Sequence, residues 1–473
     1  MNLLLLAMAF RAWSGAACSV FLRVMAAIAA FSLEIQIATW LHIGNIRSLR
    51  LINLAAAAIG VSWHAYRRSV FRRLERDSVE TEQPLSPRSP DGSPASRPFI
   101  AAPAVTLPPL AAIAGLVLLV TLLAAMRPVM GADPYHLQRV DQITRSGTLA
   151  YDAGVADVKV NALAGVYELL LADLRIPGMT AALVRFHGLL GLGLYLVSIA
   201  AVAPWAGIRR RWFLITLLVV PVVFQQLVLV KNDLFGALPA FVALAWVVTR
   251  GPALSLAECT AAAALAGFSV GIKISSAPIA LVVCGLVAAD HRSWTRVAAS
   301  VAAASVGSIA GGLLFTLIQN DLVYGAPLQP YLSLGNRHDS IGDAAIGLAR
   351  FAVSLVDLGT VTPRVWPGRG GWGSTFGLPV VWALAVLALR WRDWQARRAL
   401  LAALACLIVF GATYPDADVA QRMVIAPGLL LIVVALGCLD REERYAAGLR
   451  AALIAAIALS ALQIGRSAWL YLG

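Results

Sequence analysis

Several stretches of this chain set a charged residue against an apolar block, where charge is costly and therefore informative. GADPYHLQRVDQITRSG puts Asp133 at the end of one block, followed by Pro134, Tyr135 and His136. VADVKVNALAG carries Lys159, and LVLVKNDLFGALPAFVALAW interrupts an apolar run with Lys231, Asn232 and Asp233. AGFSVGIKISSAPIAL holds Lys273 in a turn of small residues, and VAQRMVIAPGLLL places Arg422 just before a block containing Pro427. A carboxylate at a lipid boundary can take a proton, and cations can stabilise an anion as it forms. The set therefore offers a candidate base, Asp133, and candidate anion holders. Each residue also has a plain structural reading. Asp133 before Pro134 is a good helix start, and Asp233 would cap the helix that follows it. Lys159, Lys231, Lys273 and Arg422 would equally snorkel to an interface. Tyr135 would serve as an interfacial anchor, and a lone His136 beside a helix start as a merely polar group. Asp141 lies a little over two turns beyond Asp133 and reads as a solvated helix residue.

The elements that must position these residues are apolar helices. Of 473 residues, 60% are hydrophobic and 13% charged, too few polar groups to cover a soluble protein of this length. Blocks of about 20 apolar residues, enough to cross about 30 Å of hydrocarbon, recur along the chain. The fold expected is all-α, a polytopic transmembrane bundle of about thirteen spans with external loops carrying interfacial helices. They fall near 17–41, 49–65, 108–127, 181–204, 212–230, 234–249, 255–271, 275–290, 297–318, 377–390, 399–412, 423–439 and 451–470. The organisation expected is an N-terminal transmembrane hairpin over 1–66, a basic and Pro/Ser-rich cytoplasmic linker over 67–107, a catalytic core over 108–340, and an external loop with C-terminal helices over 341–473. YRRSVFRRLERD opens the linker and suits anionic lipid; the remainder cannot bury a core and reads as flexible. Leu137, Val140, Ile143 and Leu149 mark the apolar stripe of a helix lying along the membrane surface.

The net charge of +13 reads as topology signal rather than a nucleic-acid footprint, because the charges sit in short clusters between blocks. Arg209 to Arg211, Arg250, Arg292 with Arg296, Arg390 to Arg398, and Arg441 to Arg450 all fall on one face if the N-terminus is cytoplasmic. Arg47 and Arg50 dissent. The long loops 128–179, 319–376 and 413–422 then face outward, so chemistry belongs at the external boundary of the plasma (inner) membrane. The five cysteines show neither zinc nor redox spacing and read as packing residues. No P-loop and no HExxH helix is present, so neither an ATP-driven pump nor a zincin is signalled.

Taken in order, these motifs resemble the GT-C superfamily of membrane glycosyltransferases, most closely the bacterial branch related to protein mannosyltransferases and lipid A aminoarabinose transferases. ADPYHLQRVDQITRSG is similar to that family's acidic residue followed by Tyr in the first external loop. LIQNDLVYGAPLQPYLSLG is similar to its Asn, then Tyr-Gly-X-Pro, then Pro pattern, here Asn320, Tyr324, Gly325, Pro327 and Pro330. The resemblance spans 108–440. It implies inverting transfer of a sugar from a polyprenyl-phosphate carrier to a hydroxyl of a lipid, glycan or protein. In that reaction Asp133 is the base, while Lys159, Lys231, Lys273 and Arg422 face the phosphate. Tyr135, His136, Asp233 and Tyr324 line the substrate site. The extra N-terminal hairpin departs from the simplest family plan. A second acidic residue found in some members is not obvious, which leaves a divalent cation open as cofactor. Trp366 and Trp372 would stack on sugar and Arg364 and Arg369 meet phosphate, or all four would sit at the interface. Two other classes compete: a transporter or flippase of lipid-linked sugars, drawing on Glu34, Gln36 and Glu258 as deep polar groups, and a non-catalytic membrane scaffold.

Overall fold

The computed structural model describes Asn2, Leu6, Gly115 and residues 20–81, 134–155, 160–161, 165–174, 180–210, 214–228, 231–328, 341–356, 377–413, 422–442 and 445–472. The expected span at 108–127 apart from Gly115, most of the linker, and Trp366, Trp372, Arg364 and Arg369 lie outside these residues.

Every regular element among the described residues is helical. A hairpin of α1 (Val20–Leu41) and α2 (Ile46–Thr81) comes first. The first long loop carries α3 (Pro134–Ser146) and α4 (Val166–Leu174). Then follow α5 (Thr180–Val202), the short α6 (Ile215–Leu218) and α7 (Pro221–Val228), and α8 (Asp233–Arg250). α9 (Leu256–Ile272), α10 (Ala277–His291), α11 (Trp294–Ala310) and α12 (Leu313–Tyr324) complete the middle of the chain. The C-terminal part is α13 (Ile341–Val356), α14 (Leu378–Leu389), α15 (Trp394–Thr413), α16 (Ile425–Asp440) and α17 (Ala446–Leu472).

Among the described residues four helical stretches are long and apolar enough to cross a membrane: Val20–Leu41, Asp233–Ala253, Ile274–His291 and Ala446–Gly465. The pair α11 and α12 makes a fifth if its 60° bend is counted inside one span. The described residues thus show four or five of the thirteen blocks read from hydropathy as single long spans, and two of the blocks are interrupted. The block at 212–230 is split ahead of Pro221, which cannot donate to the turn before it. The block at 297–318 bends at Gly311–Gly312, where Gly312 takes φ +93°, a conformation open to glycine. Others form the shorter apolar helices Leu256–Ile272, Leu378–Leu389 and Ile425–Asp440. The basic segment that opens the linker continues α2 as helix to Thr81, in keeping with the helix propensity of its Arg, Leu and Glu.

Two helices form the interior. Every residue of α8 from Asp233 to Thr249 is buried, as is every residue of α16 from Ile425 to Leu439. Both are apolar around their whole circumference, as a helix enclosed by protein or lipid must be. Beside them α9 and α11 pack backbone to backbone. Gly267 and Gly271 on one face Gly307 and Gly311 on the other, and a Cβ on Gly267 would strike the Ala304 carbonyl. Paired Gly-x-x-x-Gly spacings allow this approach. The string Gly267-Phe268-Ser269-Val270-Gly271 also has the spacing of a serine-hydrolase elbow. Here it is helix interior, and the Ser269 hydroxyl donates to the Gly236 carbonyl.

The bundle has two chemically different ends. The turns after α5, α8, α10, α14 and α16 meet at one. There the backbone N–H groups of Arg209 and Arg210 donate to Asp440, at 2.6 and 3.1 Å. Arg441 donates to the Ala206 carbonyl and to Gln395, and Gln395 to the Thr249 carbonyl. Arg390 pairs with Glu442, and Arg398 with Asp290. The described members of the clusters read as one face thus do share one end. The opposite end of α8, about 26 Å away at 1.5 Å per residue, begins at Asp233. The dissenting turn around Arg47 is pinned to the first loop: Ile46 N–H donates to the Gly147 carbonyl at 2.9 Å, and Leu149 N–H to Thr39 at 3.2 Å.

Candidate functional site

Asp233 is the first residue of α8, and its carboxylate does not cap the helix as the local reading expects. Asn232 holds the cap position without a side-chain cap bond. Asp233 instead receives the Lys273 ammonium on one oxygen and the Arg422 guanidinium, at 3.5 Å, on the other. Lys273 reaches it from the turn after α9, where the chain leaves the helix with φ −150° and ψ 106°. Arg422 comes from just ahead of α16, and Ser275 ties that segment to the Lys273 turn by donating to Met423 at 3.2 Å. Side-chain exposure is 6% for Asp233, 12% for Arg422 and 19% for Lys273, so these charges see little water. Burial, followed by the charges of Arg422 and Lys231, pushes the Lys273 ammonium well below its ordinary value. Lys231 is therefore close enough to act electrostatically. Two cations converge on one carboxylate, and the buried Nε of Arg422 has no hydrogen-bond partner among the described residues. Such a group has positive charge to spare for an anion. Its composition is distinctive too: of 38 Lys and Arg residues in the chain only three are lysines, and two of them meet here.

A buried polar and aromatic ladder leads from the first loop to the same helix end. α3 is a helix as its apolar stripe predicts, with Val140 and Ile143 fully buried. Its exposed side is narrow, Gln138, half-buried Asp141 and Arg145, because His136, Arg139 and Gln142 are buried as well. Arg139 donates to Gln142 at 2.6 Å and to the Leu149 carbonyl at 3.0 Å, two of the partners a buried guanidinium needs. His136 is not the isolated polar residue of the plain reading: at 1% exposure it hydrogen-bonds Glu168 on α4. Tyr135 lies against the His136 ring at 4.2 Å between centroids. The His136 ring meets Tyr167 edge-on at 6.1 Å, and Tyr167 meets Phe235 at 5.6 Å, two residues beyond Asp233. The Tyr167 hydroxyl bonds His187 on α5, whose other ring nitrogen lies 3.1 Å from the Gln226 carbonyl. Tyr167, Glu168 and His187 escaped the sequence reading. The one signal was an acid inside the apolar run VYELLLADL.

The Asn-Tyr-Gly-X-Pro stretch meets the first loop rather than the Asp233 group. Tyr324 stands edge-on to Tyr151 at 6.4 Å, and Gln319 donates to the Asn161 carbonyl at 2.9 Å. Asn320 is buried and donates to the Pro327 carbonyl at 3.3 Å. Asp133, Lys159 and Pro330 lie outside the described residues, and Pro134 immediately after Asp133 opens α3. Glu34 accepts from Asn53, Gln36 donates to Ser32, and Glu258 forms a capping box with Ser255. Gln36 also donates to the Ala310 carbonyl at 3.4 Å, so the three polar residues have separate partners. Asp141 is half-buried. Among the described residues no group of three or more His, Cys, Asp or Glu is placed to hold a metal ion.

No family model matches this chain, and no curated protein or solved structure matches it either. A functional reading therefore rests on the chemistry of the residues themselves.

Proposed function

We propose that this chain is an integral membrane glycosyltransferase of the GT-C kind, moving a sugar from a polyprenyl-phosphate carrier to a hydroxyl on a lipid, glycan or protein. The observation that carries the reading is the convergence of Lys273 and Arg422 on Asp233, with Lys231 beside them. Three motif stretches far apart in sequence meet at one helix end to form a cationic, water-poor site.

Such a site suits the leaving group of this reaction. The acceptor oxygen forms a bond to the anomeric carbon from the side opposite the phosphate, so configuration inverts. The bond from that carbon to the phosphate oxygen breaks, and its electron pair leaves with the polyprenyl phosphate, which gains negative charge. Lysine and arginine side chains held away from water stabilise that charge more than they stabilise the neutral bond. Asp233 keeps the cations together and oriented. The acceptor proton passes to Asp133, the carboxylate just ahead of α3, whose first turn is linked through His136, Tyr167 and Phe235 to the start of α8. A donor tethered in the bilayer is supported by the absence of a nucleotide-sugar fold among the helices described. In this reading the arginine-rich end is cytoplasmic, the Asp233 end external, and further apolar blocks complete about thirteen spans.

The test uses the full chain in lipid nanodiscs, radiolabelled polyprenyl-phosphate sugars and extracted acceptors. Wild type should transfer label, and Asp133→Asn should lose at least about a hundredfold of that rate while staying monodisperse. Label crossing the membrane of vesicles without transfer, equally in both forms, would replace the enzyme with a flippase. No turnover and no movement would leave a scaffold.

A further inference from the structure

At the arginine-rich end lies a cavity of about 460 Å³, within the size range of small-molecule sites. Its walls carry Arg209, Arg210, Arg441 and Arg450 together with Asp440 and Glu442. The two acids do not balance the four guanidinium groups, because each is already engaged. Asp440 holds Arg210 at 3.1 Å and the two backbone N–H groups of Arg209 and Arg210. Glu442 holds Arg390, which is not part of the cavity wall. Arg441 is turned to Asp393 at 3.3 Å. What remains is positive. No ion pair reaches the Arg209 side chain among the described residues, and the buried Nε of Arg450 has no hydrogen-bond partner among them. A buried guanidinium N–H without an acceptor is costly, and a ligand with oxygen acceptors would relieve that cost. Ala446, the first residue of the 27-residue α17, also lines the space, so the positive end of that helix adds to the same field.

We propose that this cavity binds a phosphate-bearing ligand through Arg209 and Arg450. The chemistry recognised is a phosphate group, carried by an anionic lipid headgroup at the membrane surface or by a free phosphorylated small molecule. Guanidinium groups match phosphate oxygens in bidentate fashion and keep their charge at all physiological pH values. The cavity is at the opposite end of the bundle from Asp233, so binding here is separate from the reaction proposed above.

The experiment uses the full chain purified in neutral detergent. One arm measures retention of phosphatidylglycerol by native mass spectrometry, and the other measures binding of glycerol 3-phosphate by calorimetry. Wild type should bind in at least one arm, and the arm that responds identifies the source of the phosphate. The variant R209Q/R450Q should weaken that binding about tenfold or more. R209Q alone removes an exposed side chain from no described ion pair, keeps the fold, and should weaken binding part-way. R397Q changes an exposed arginine at the same end but outside the cavity, and should bind as wild type does. Absence of binding in both arms, or equal weakening by R397Q, would overturn the site.

Discussion

Arg422 approaches the Asp233 carboxylate to 3.5 Å across 189 residues of sequence. The other oxygen of that carboxylate is taken by Lys273. One acid thus joins the entry to α16, the turn after α9 and the start of α8. Breaking a buried pair costs more than the pair itself contributes, because a charge is left without compensation. Asp233→Asn should therefore lower stability by about 3 kcal/mol, read as a drop in apparent melting temperature in detergent. Adding Lys273→Met to it should restore part of the loss; an unchanged melting temperature in Asp233→Asn would refute the coupling.

The His136–Glu168 bond should behave as a unit. Both side chains are about 1% exposed, so removing either partner strands the other. His136→Ala and Glu168→Ala should each destabilise by about 1–3 kcal/mol. The double variant should cost less than the sum of the two, as contacting residues do in a double-mutant cycle. Additive losses would dissolve the pair.

Close packing of α9 on α11 predicts a sharp contrast between glycines. Gly267→Ala would drive its Cβ into the Ala304 backbone carbonyl, which cannot swing aside as a side chain can. A loss of about 1–3 kcal/mol is expected, as for an overpacked contact, together with reduced recovery of monodisperse protein. Gly285→Ala, on α10, meets nothing within 4 Å and should be tolerated. Equal behaviour of the two would count against the contact.

Sidedness is open to cysteine labelling in a background without native cysteines. Arg47→Cys and Arg145→Cys, both at exposed positions, should react with an impermeant maleimide from the same side, because the Ile46–Gly147 hydrogen bond joins their segments. Arg397→Cys should react only from the opposite side. Labelling of Arg47→Cys and Arg145→Cys from different sides would rule out the docked hairpin.

Read as a string, this chain already carries its helical, lipid-compatible character and the residues most worth testing. Apolar blocks and costly boundary charges are local properties, visible in a window of about 20 residues. That is why Lys231, Asp233, Lys273 and Arg422 stood out before any contact was known. The arginine clusters likewise announced a shared end. What the string left open was whatever depends on a partner far along the chain. Asp233 read locally as a helix cap and became an ion-pair centre. His136 read as a lone polar group and acquired Glu168. Tyr324, grouped by motif with the charged set, packs on Tyr151 instead. Burial makes the difference: once water is removed, a charged or polar side chain must find its complement in the protein, and only the tertiary arrangement of the helices decides which residue supplies it.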